Sequence, residues 1–257
     1  MELGLTGRCA VVCASTGGLG EAIARALAAE GASVVVSGRR GDRAREIAAE
    51  LPKAVGVGVD LTSESGAAEL VTVARKTFGE VDVLVLNGPG PKPGPATSVD
   101  DEGLDSAVET LLRPHLRLLS LTLPGMRSRG WGRVLAVGSS GVDAPLPNLA
   151  LSNLGRSALD AYLKTLASEV AADGVTVNML LPGRIATDRV AFLDEVAATR
   201  LGTTVDDIAA RSRATIPAGR YGDPAEFGAV GTFLCGELAS YVTGTTLRVD
   251  GGLVRSH

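Results

Sequence analysis

Short apolar runs alternate with longer alanine-rich segments along nearly the whole chain. The apolar runs consist mainly of Val, Leu and Ile, which is typical of strands buried on both faces of a parallel sheet. They predict strands at Cys9–Ala14, Ser33–Ser37, Ala54–Val59, Val81–Leu86, Arg133–Val137, Val175–Leu181 and Thr245–Val249. The segments between them predict helices at Leu19–Glu30, Arg43–Leu51, Ala67–Phe78, Leu104–Arg127, Leu149–Ala172 and Pro224–Leu238.

Strand and helix alternation sustained seven times indicates an α/β protein with a doubly wound sheet. We therefore predict a single Rossmann-type domain over residues 1–257, with a seven-stranded parallel sheet and helices on both faces. No linker or change of composition interrupts the pattern. Pro114 lies inside the predicted fourth helix, where it removes the N–H that would bond the Thr110 carbonyl, so we expect a kink there.

Composition narrows the possible partners. The 257 residues are 45% hydrophobic and 21% charged, and the formal net charge is −4. This is typical of a soluble globular protein and provides no basic surface for nucleic acid or membranes. The N-terminus shows no secretory signal pattern. Cys9, Cys13 and Cys235 lack metal-ligand spacing, so we expect no metal site. Cys9 and Cys13 lie in an apolar run, where we expect buried free thiols. Free thiols are typical of a reducing compartment, so we expect a cytoplasmic location.

A glycine-rich segment joins the first predicted strand to the first helix. Small residues there let the backbone approach a phosphate, and a helix N-terminus presents free N–H groups. A plain tight turn is the alternative, but the position at the start of a β-α-β series favours dinucleotide binding. The candidate cofactor-binding residues are Ala14, Ser15, Thr16, Gly18, Leu19 and Gly20.

Two arginines, Arg39 and Arg40, follow the second predicted strand. An NAD-binding site commonly has an acidic residue here to hold the ribose 2′-hydroxyl, and none is present. A guanidinium suits the 2′-phosphate of NADP. We therefore predict NADP(H) rather than NAD(H); the alternative is a solvated strand end.

At this point the chain resembles the classical short-chain dehydrogenase/reductases, closest to the 3-oxoacyl-acyl-carrier-protein reductase type. The resemblance rests on Asp60-Leu61, Asn87-Gly88-Pro89-Gly90, Pro182–Thr187, Gly222–Glu226, Tyr241–Gly244 and Val249–Gly252. One departure is Ala14, where the family usually has a glycine, and a methyl group is tolerated there unless the backbone needs a positive φ. The resemblance implies further cofactor contacts at Asp60, Leu61, Asn87, Gly88, Arg156, Pro182, Gly183, Ile185 and Thr187.

The catalytic centre departs further from the family, which uses Asn, Ser, Tyr and Lys. Ser139 matches the family's serine, but Ser152 stands at the tyrosine position, Arg156 at the lysine position and Leu111 at the asparagine position. Ser152 and Arg156 keep the i, i+4 spacing on one helix face. We take Ser139, Ser152 and Arg156 as the candidate catalytic residues. His115 is interpreted as a packing or surface residue.

We expect an NADP(H)-dependent oxidoreductase that reduces a small carbonyl compound or oxidises the alcohol. Ser139 would hold the substrate oxygen, and the proton would come through water or Ser152. Two alternatives remain: a nucleotide-binding sensor or partner subunit without redox catalysis, and a lyase or isomerase on the same fold. Asp143, Arg184, Asp188 and Arg189 are expected in loops around the substrate.

Leucines spread over more than one face of the segment Leu104–Leu123. Such a helix suits a subunit interface. The family resemblance also implies a homodimer or homotetramer.

Overall fold

A parallel sheet forms the centre of the computed structural model, which describes residues 2–255. The strand order is β3-β2-β1-β4-β5-β6-β7. The strands are β1 (Cys9–Val12), β2 (Ser33–Gly38), β3 (Ala54–Gly58), β4 (Val83–Leu86), β5 (Gly132–Val137), β6 (Val175–Pro182) and β7 (Thr246–Val249). This confirms the predicted fold class, a Rossmann-type doubly wound α/β fold with seven parallel strands.

Helices cover both faces of the sheet. They are α1 (Gly18–Ala29), α2 (Gly41–Ala49), α3 (Gly66–Phe78), α4 (Asp101–Leu111), α5 (Arg113–Ser128), α6 (Ala150–Val170), α7 (Asp188–Leu201), α8 (Val205–Thr215) and α9 (Pro224–Cys235). One apolar core packs α3, α5 and α6 against the sheet, and the other packs α1, α2 and α9 against the opposite face. Because both faces are covered, strand residues of either parity are buried, as the continuous apolar runs indicated.

The prediction of one helix over Leu104–Arg127 is wrong in one respect, because two helices occupy this segment. The chain breaks at Leu112, which has φ −119° and ψ −62°. Pro114 is the second residue of α5, where a missing N–H leaves no helical bond unmade. The expected kink is thus a full break, two residues before the proline.

The helices α7 and α8 were not predicted, and they correct the expectation that Asp188 and Arg189 lie in a loop. Both residues belong to the first turn of α7, which ends at Gly202 in the left-handed conformation. The helix α8 begins with a capping box between Thr204 and Asp207. These start and stop signals are visible in the sequence, but the segment's weak apolar periodicity concealed them.

The order of the strands reverses between β1 and β4. From β1 the chain builds outward through β2 and β3, whereas β4, β5, β6 and β7 extend the sheet the other way. The loops after β1 and β4 therefore diverge and leave a crevice at the carboxyl ends of the strands, which is where such sheets bind ligands. Within residues 2–255, no helix has both the length and the apolarity needed to cross a bilayer.

Candidate active site

A cavity of about 790 Å³ opens at this crevice. Its wall includes the segments that follow all seven strands, from Ala14 after β1 to Leu253 after β7. The volume lies in the usual range for small-molecule and cofactor sites. The predicted site residues that line it are Ala14, Thr16, Gly18, Leu19, Arg39, Arg40, Asp60, Leu61, Asn87, Gly88, Ser139, Ser152, Arg156, Pro182, Gly183, Ile185 and Thr187.

Two of the predicted cofactor residues, Ser15 and Gly20, do not line the cavity but shape the loop behind it. The Ser15 hydroxyl donates to the Val12 carbonyl at 2.7 Å and accepts from the Ser37 N–H at 2.9 Å. Gly20 leaves no room for a side chain, because a Cβ there would lie 2.5 Å from the Ala14 oxygen. We therefore assign both residues to loop geometry rather than to direct contact with a ligand.

The loop presents an open helix N-terminus to the cavity. No side chain caps α1, whose N-cap residue is Gly17, so the first N–H groups of the helix remain available. Thr187 lies across from them, since a Cβ on Gly18 would be 3.6 Å from the Thr187 Cγ2. Uncapped N–H groups and the positive end of a helix dipole are suited to a diphosphate.

Ala14 adopts a left-handed backbone conformation with φ 45°. This is the positive φ that makes the family's usual glycine favourable at this position. The Ala14 carbonyl accepts a hydrogen bond from the Asn87 side chain at 3.1 Å. That bond ties the loop after β1 to the loop after β4 and holds the strained alanine in place.

The structure distinguishes two arginines that are equivalent in sequence. Arg40 is tied to the glycine-rich loop, because its Nη2 donates to the Thr16 carbonyl at 2.5 Å. Arg39 is exposed and makes no hydrogen bond or ion pair with the rest of residues 2–255. Hydrogen bonds from Thr62, and secondarily the charge of Arg39, hold the pKa of Asp60 below its usual range. Arg39 is therefore the guanidinium available to a phosphate.

The three candidate catalytic residues, Ser139, Ser152 and Arg156, all line the cavity. Ser139 follows β5, and its Oγ accepts a hydrogen bond from the Gly141 N–H at 3.1 Å, which leaves its own proton to donate. Ser152 is buried on α6. Its hydroxyl has no hydrogen-bond partner within the described part of the chain, so it is available to water or substrate in the cavity.

Arg156 lies one helical turn beyond Ser152 and is 8% exposed. Its Nη1 donates to the Val137 carbonyl at 2.5 Å. Burial, and secondarily the nearby charge of Arg189, lowers the pKa of Arg156 to about 10. The guanidinium therefore stays protonated at neutral pH, where it can donate hydrogen bonds but cannot shuttle protons.

The asparagine position of the family is filled by an apolar contact. Leu111 is 1% exposed and packs on α6, where a Cβ on Gly155 would lie 2.6 Å from the Leu111 Cδ1. Its side chain does not line the cavity. A proton relay through a side chain at this position is therefore absent from the described residues.

His115 is buried on α5, as expected of a packing residue, and it also lines the cavity. Its Nδ1 lies 2.8 Å from the Leu111 carbonyl, so the acceptor places the proton on that nitrogen. Burial, assisted by the charge of Arg156, lowers the pKa of His115 to about 4. The sequence offered no signal for this placement, because Leu111 and His115 belong to different helices with the break at Leu112 between them.

Arg184 and Asp143 are held by ion pairs. The Arg184 Nη1 lies 2.6 Å from the Asp194 Oδ1, and the Tyr221 hydroxyl donates to the other carboxylate oxygen at 2.7 Å. Asp194 is 3% exposed, so this network fixes α7 against the loop after β6. Asp143 pairs with Arg248 at 3.4 Å and does not line the cavity.

Comparison with known proteins identifies the class of site. A family model described as enoyl-(acyl carrier protein) reductase matches residues 13–254. The bovine dehydrogenase/reductase SDR family member 4 is 37% identical over 96% of this chain and 88% of its own length. The 3-oxoacyl-[acyl-carrier-protein] reductase of Aquifex aeolicus is 32% identical over 98% of this chain and 100% of its own length.

Solved structures agree with these matches. L-sorbose reductase from Gluconobacter frateurii, complexed with NADPH and L-sorbose, covers 100% of both chains at a TM-score of 0.94 and 31% identity. An actinorhodin polyketide ketoreductase variant with NADPH covers 97% of this chain and 98% of its own, at a TM-score of 0.92 and 31% identity. Fold and cavity together define an NAD(P)-dependent reductase. The chain belongs to the short-chain dehydrogenase/reductase family, whose members act on carbonyl and alcohol groups.

Proposed function

We propose that this chain is an NADP(H)-dependent enzyme that reduces a small carbonyl compound, or oxidises the alcohol, with a non-standard proton relay. The observation that carries the proposal is that the Ser139 and Ser152 hydroxyls line the same cavity as the uncapped N-terminus of α1. We further propose that it works as a homodimer or homotetramer in the cytoplasm.

Two features of the cavity support NADP(H) as the cofactor: the uncapped start of α1 and the exposed guanidinium of Arg39. The N–H groups at the start of α1 would hold the diphosphate, and Arg39 would bind the 2′-phosphate. Asp60 and Leu61 would border the adenine end. When bound, the nicotinamide supplies the hydride that is added to the carbonyl carbon.

The chain's own residues would position the substrate and move a proton. Ser139 would donate its hydroxyl proton as a hydrogen bond to the substrate oxygen, and so stabilise the negative charge that develops there. The Ser152 hydroxyl, or a water held beside it, would then deliver a proton to that oxygen, and solvent water would return a proton to the donor. Arg156 would hold ribose hydroxyls and orient the water, since it cannot itself act as an acid.

One observation favours a second function, nucleotide binding without redox catalysis. No tyrosine or lysine is among the residues of the described chain that line the cavity. A positioned general acid typically contributes about 10²–10⁴ in rate, and a serine is a far weaker acid than a phenol. We therefore expect slow turnover, and none at all if the second function is correct.

Turnover separates the two functions. We expect the purified protein to oxidise NADPH slowly with activated ketones, and Ser139→Ala to abolish that activity because the substrate oxygen loses its donor. Ser157→Ala serves as the matched control, because Ser157 is an exposed serine on α6 that does not line the cavity. If the protein binds NADPH but oxidises none of it across a broad panel of carbonyl compounds, the redox function is wrong and nucleotide binding without catalysis is favoured.

Cofactor choice is tested separately by calorimetry. NADPH should bind more tightly than NADH, and Arg39→Ala should shrink the difference. Hydrogen bonds to charged groups contribute about 1.5–3 kcal/mol, which corresponds to roughly a 10- to 150-fold change in affinity. Equal affinity of the wild-type protein for both cofactors would contradict the proposed preference.

A further inference from the structure

The charges around the cavity are unevenly distributed. Five arginines and two aspartates belong to its wall: Arg39, Arg40, Arg156, Arg184, Arg189, Asp60 and Asp188. Arg39 and Arg40 stand at the end assigned to the 2′-phosphate, and the charge of Arg184 is neutralised by Asp194. Two cations, Arg156 and Arg189, remain at the end that holds the candidate catalytic serines.

Neither of these two cations has a counterion in the described chain. Arg156 donates to the Val137 carbonyl, and Arg189 donates through Nη2 to the Pro91 carbonyl at 2.9 Å. No carboxylate within residues 2–255 lies in ion-pair distance of either guanidinium. Each guanidinium has five N–H donors, so Arg156 can hold ribose hydroxyls as proposed above and still donate to a further ligand, and Arg189 has donors to spare as well.

The two guanidinium groups approach the cavity from different elements. Arg156 comes from α6 and reaches the end of β5, two residues before Ser139. Arg189 comes from the first turn of α7 and lies against the loop after β4, since a Cβ on Gly90 would be 2.8 Å from its Nη2. They are close enough for the charge of Arg189 to act on Arg156.

Two like charges in a partly dehydrated cavity repel each other, and an anion between them relieves that repulsion. The anionic groups of the cofactor are assigned elsewhere, to the start of α1 and to Arg39. His115, the other titratable group beside Arg156, is neutral and supplies no charge. An anionic group on the substrate would therefore relieve the repulsion between Arg156 and Arg189.

We propose that Arg156 and Arg189 together bind a carboxylate carried by the substrate, so that the substrates are oxo acids rather than neutral ketones. The reduction of these acids depends on the proposed function, but their binding does not. A carboxylate accepts hydrogen bonds from two guanidinium groups at once, which also orients the carbonyl toward Ser139.

Matched acids and esters test this substrate class. The wild-type protein should reduce acetoacetate or levulinate with kcat/KM at least about tenfold above that of the corresponding methyl ester. In Arg189→Gln, KM for the acid should rise about tenfold or more, while KM for the ester should change little. Arg211→Gln, an exposed arginine on α8, is the control and should alter neither value.

A binding measurement keeps the proposal testable if turnover is absent. Calorimetry with the NADP⁺ complex should show that 3-hydroxybutyrate binds at least about tenfold more tightly than its methyl ester. Preferential binding of the acid without any turnover would refute the redox function and support the carboxylate site. Equal binding of acid and ester would overturn the carboxylate site whether or not the protein is an active reductase.

A third measurement tests whether Arg189 binds an anionic group of the cofactor rather than of the substrate. The Kd for NADPH should be nearly unchanged in Arg189→Gln. A loss of NADPH affinity as large as the loss of acid binding would show that Arg189 binds the diphosphate, and the proposal would then fail.

Discussion

Protonation of His115 should weaken the folded state as the pH falls from about 7 to about 5, and replacing this histidine should remove that sensitivity. The ring is 2% exposed and neutral, with Nδ1 donating to the Leu111 carbonyl. Burial and the charge of Arg156 lower the pKa of His115 from 6.5 to about 4 in the folded protein. The unfolded chain therefore binds a proton at a pH where the folded chain does not.

The sign and size of the effect follow from that difference. Between pH 6.5 and about 4 the unfolded state binds more protons than the folded state, so the free energy of unfolding falls as the pH falls through this window. One pKa unit corresponds to about 1.36 kcal/mol. The two pKa values then give a loss of about 2 kcal/mol between pH 7 and pH 5, and about 3 kcal/mol once the window is crossed.

Urea unfolding near pH 7, 6 and 5 measures this loss. His115→Asn retains an amide donor for the Leu111 carbonyl, and His115→Phe retains only the packing volume. Both variants should lose about 2 kcal/mol less than the wild-type protein between pH 7 and pH 5. Carboxylates titrate in all three proteins, so their contribution cancels in the comparison. Parallel pH profiles for the three proteins would refute the reasoning.

Three further predictions concern the loop, the assembly and the catalytic pair. Ala14→Gly should raise the free energy of unfolding by about 0.5–1 kcal/mol in denaturant titrations, because the gain from a strain-free positive φ exceeds the entropy cost of glycine; an equal or lower stability would contradict this. Light scattering at micromolar concentration should report a dimer or tetramer, since Leu104 and Leu116 are each more than a third exposed; a 26 kDa monomer would exclude the interface. Ser152→Tyr combined with Arg156→Lys should raise NADPH-dependent reduction about 10²-fold or more if the cavity accepts a phenol, and an unchanged rate would argue against a missing general acid.

The sequence motifs and the family resemblance identified most of the candidate cofactor residues that line the cavity. The glycine-rich segment from Ala14 to Gly20, the pair Arg39 and Arg40, and the segment Pro182–Thr187 each follow a strand that is identifiable from its apolar run. Because all the strands are parallel, the segments after them meet at one edge of the sheet. Contiguous motifs next to regular elements were therefore sufficient to bring these residues together.

The substrate side depended on contacts between residues far apart in sequence. Arg189 belongs to α7, a helix that was not predicted. His115 lies just after the break between α4 and α5, where the sequence predicted only a kink. The ion pair between Arg184 and Asp194 neutralises one arginine of the cavity and leaves another uncompensated, and no spacing in the chain indicates which. Nor does the sequence distinguish Arg39 from Arg40.

The sequence by itself determined the fold class, the family, the candidate cofactor-binding segments and the exchange of the family's tyrosine and lysine for Ser152 and Arg156. These conclusions depend on local periodicity and on short contiguous motifs. The tertiary structure alone decided which charged groups are paired, that His115 is buried, and that Arg156 and Arg189 line the same cavity without a carboxylate partner in the described chain. Burial and pairing set pKa values and the need for a counterion, and both depend on side chains that only the folded chain brings together.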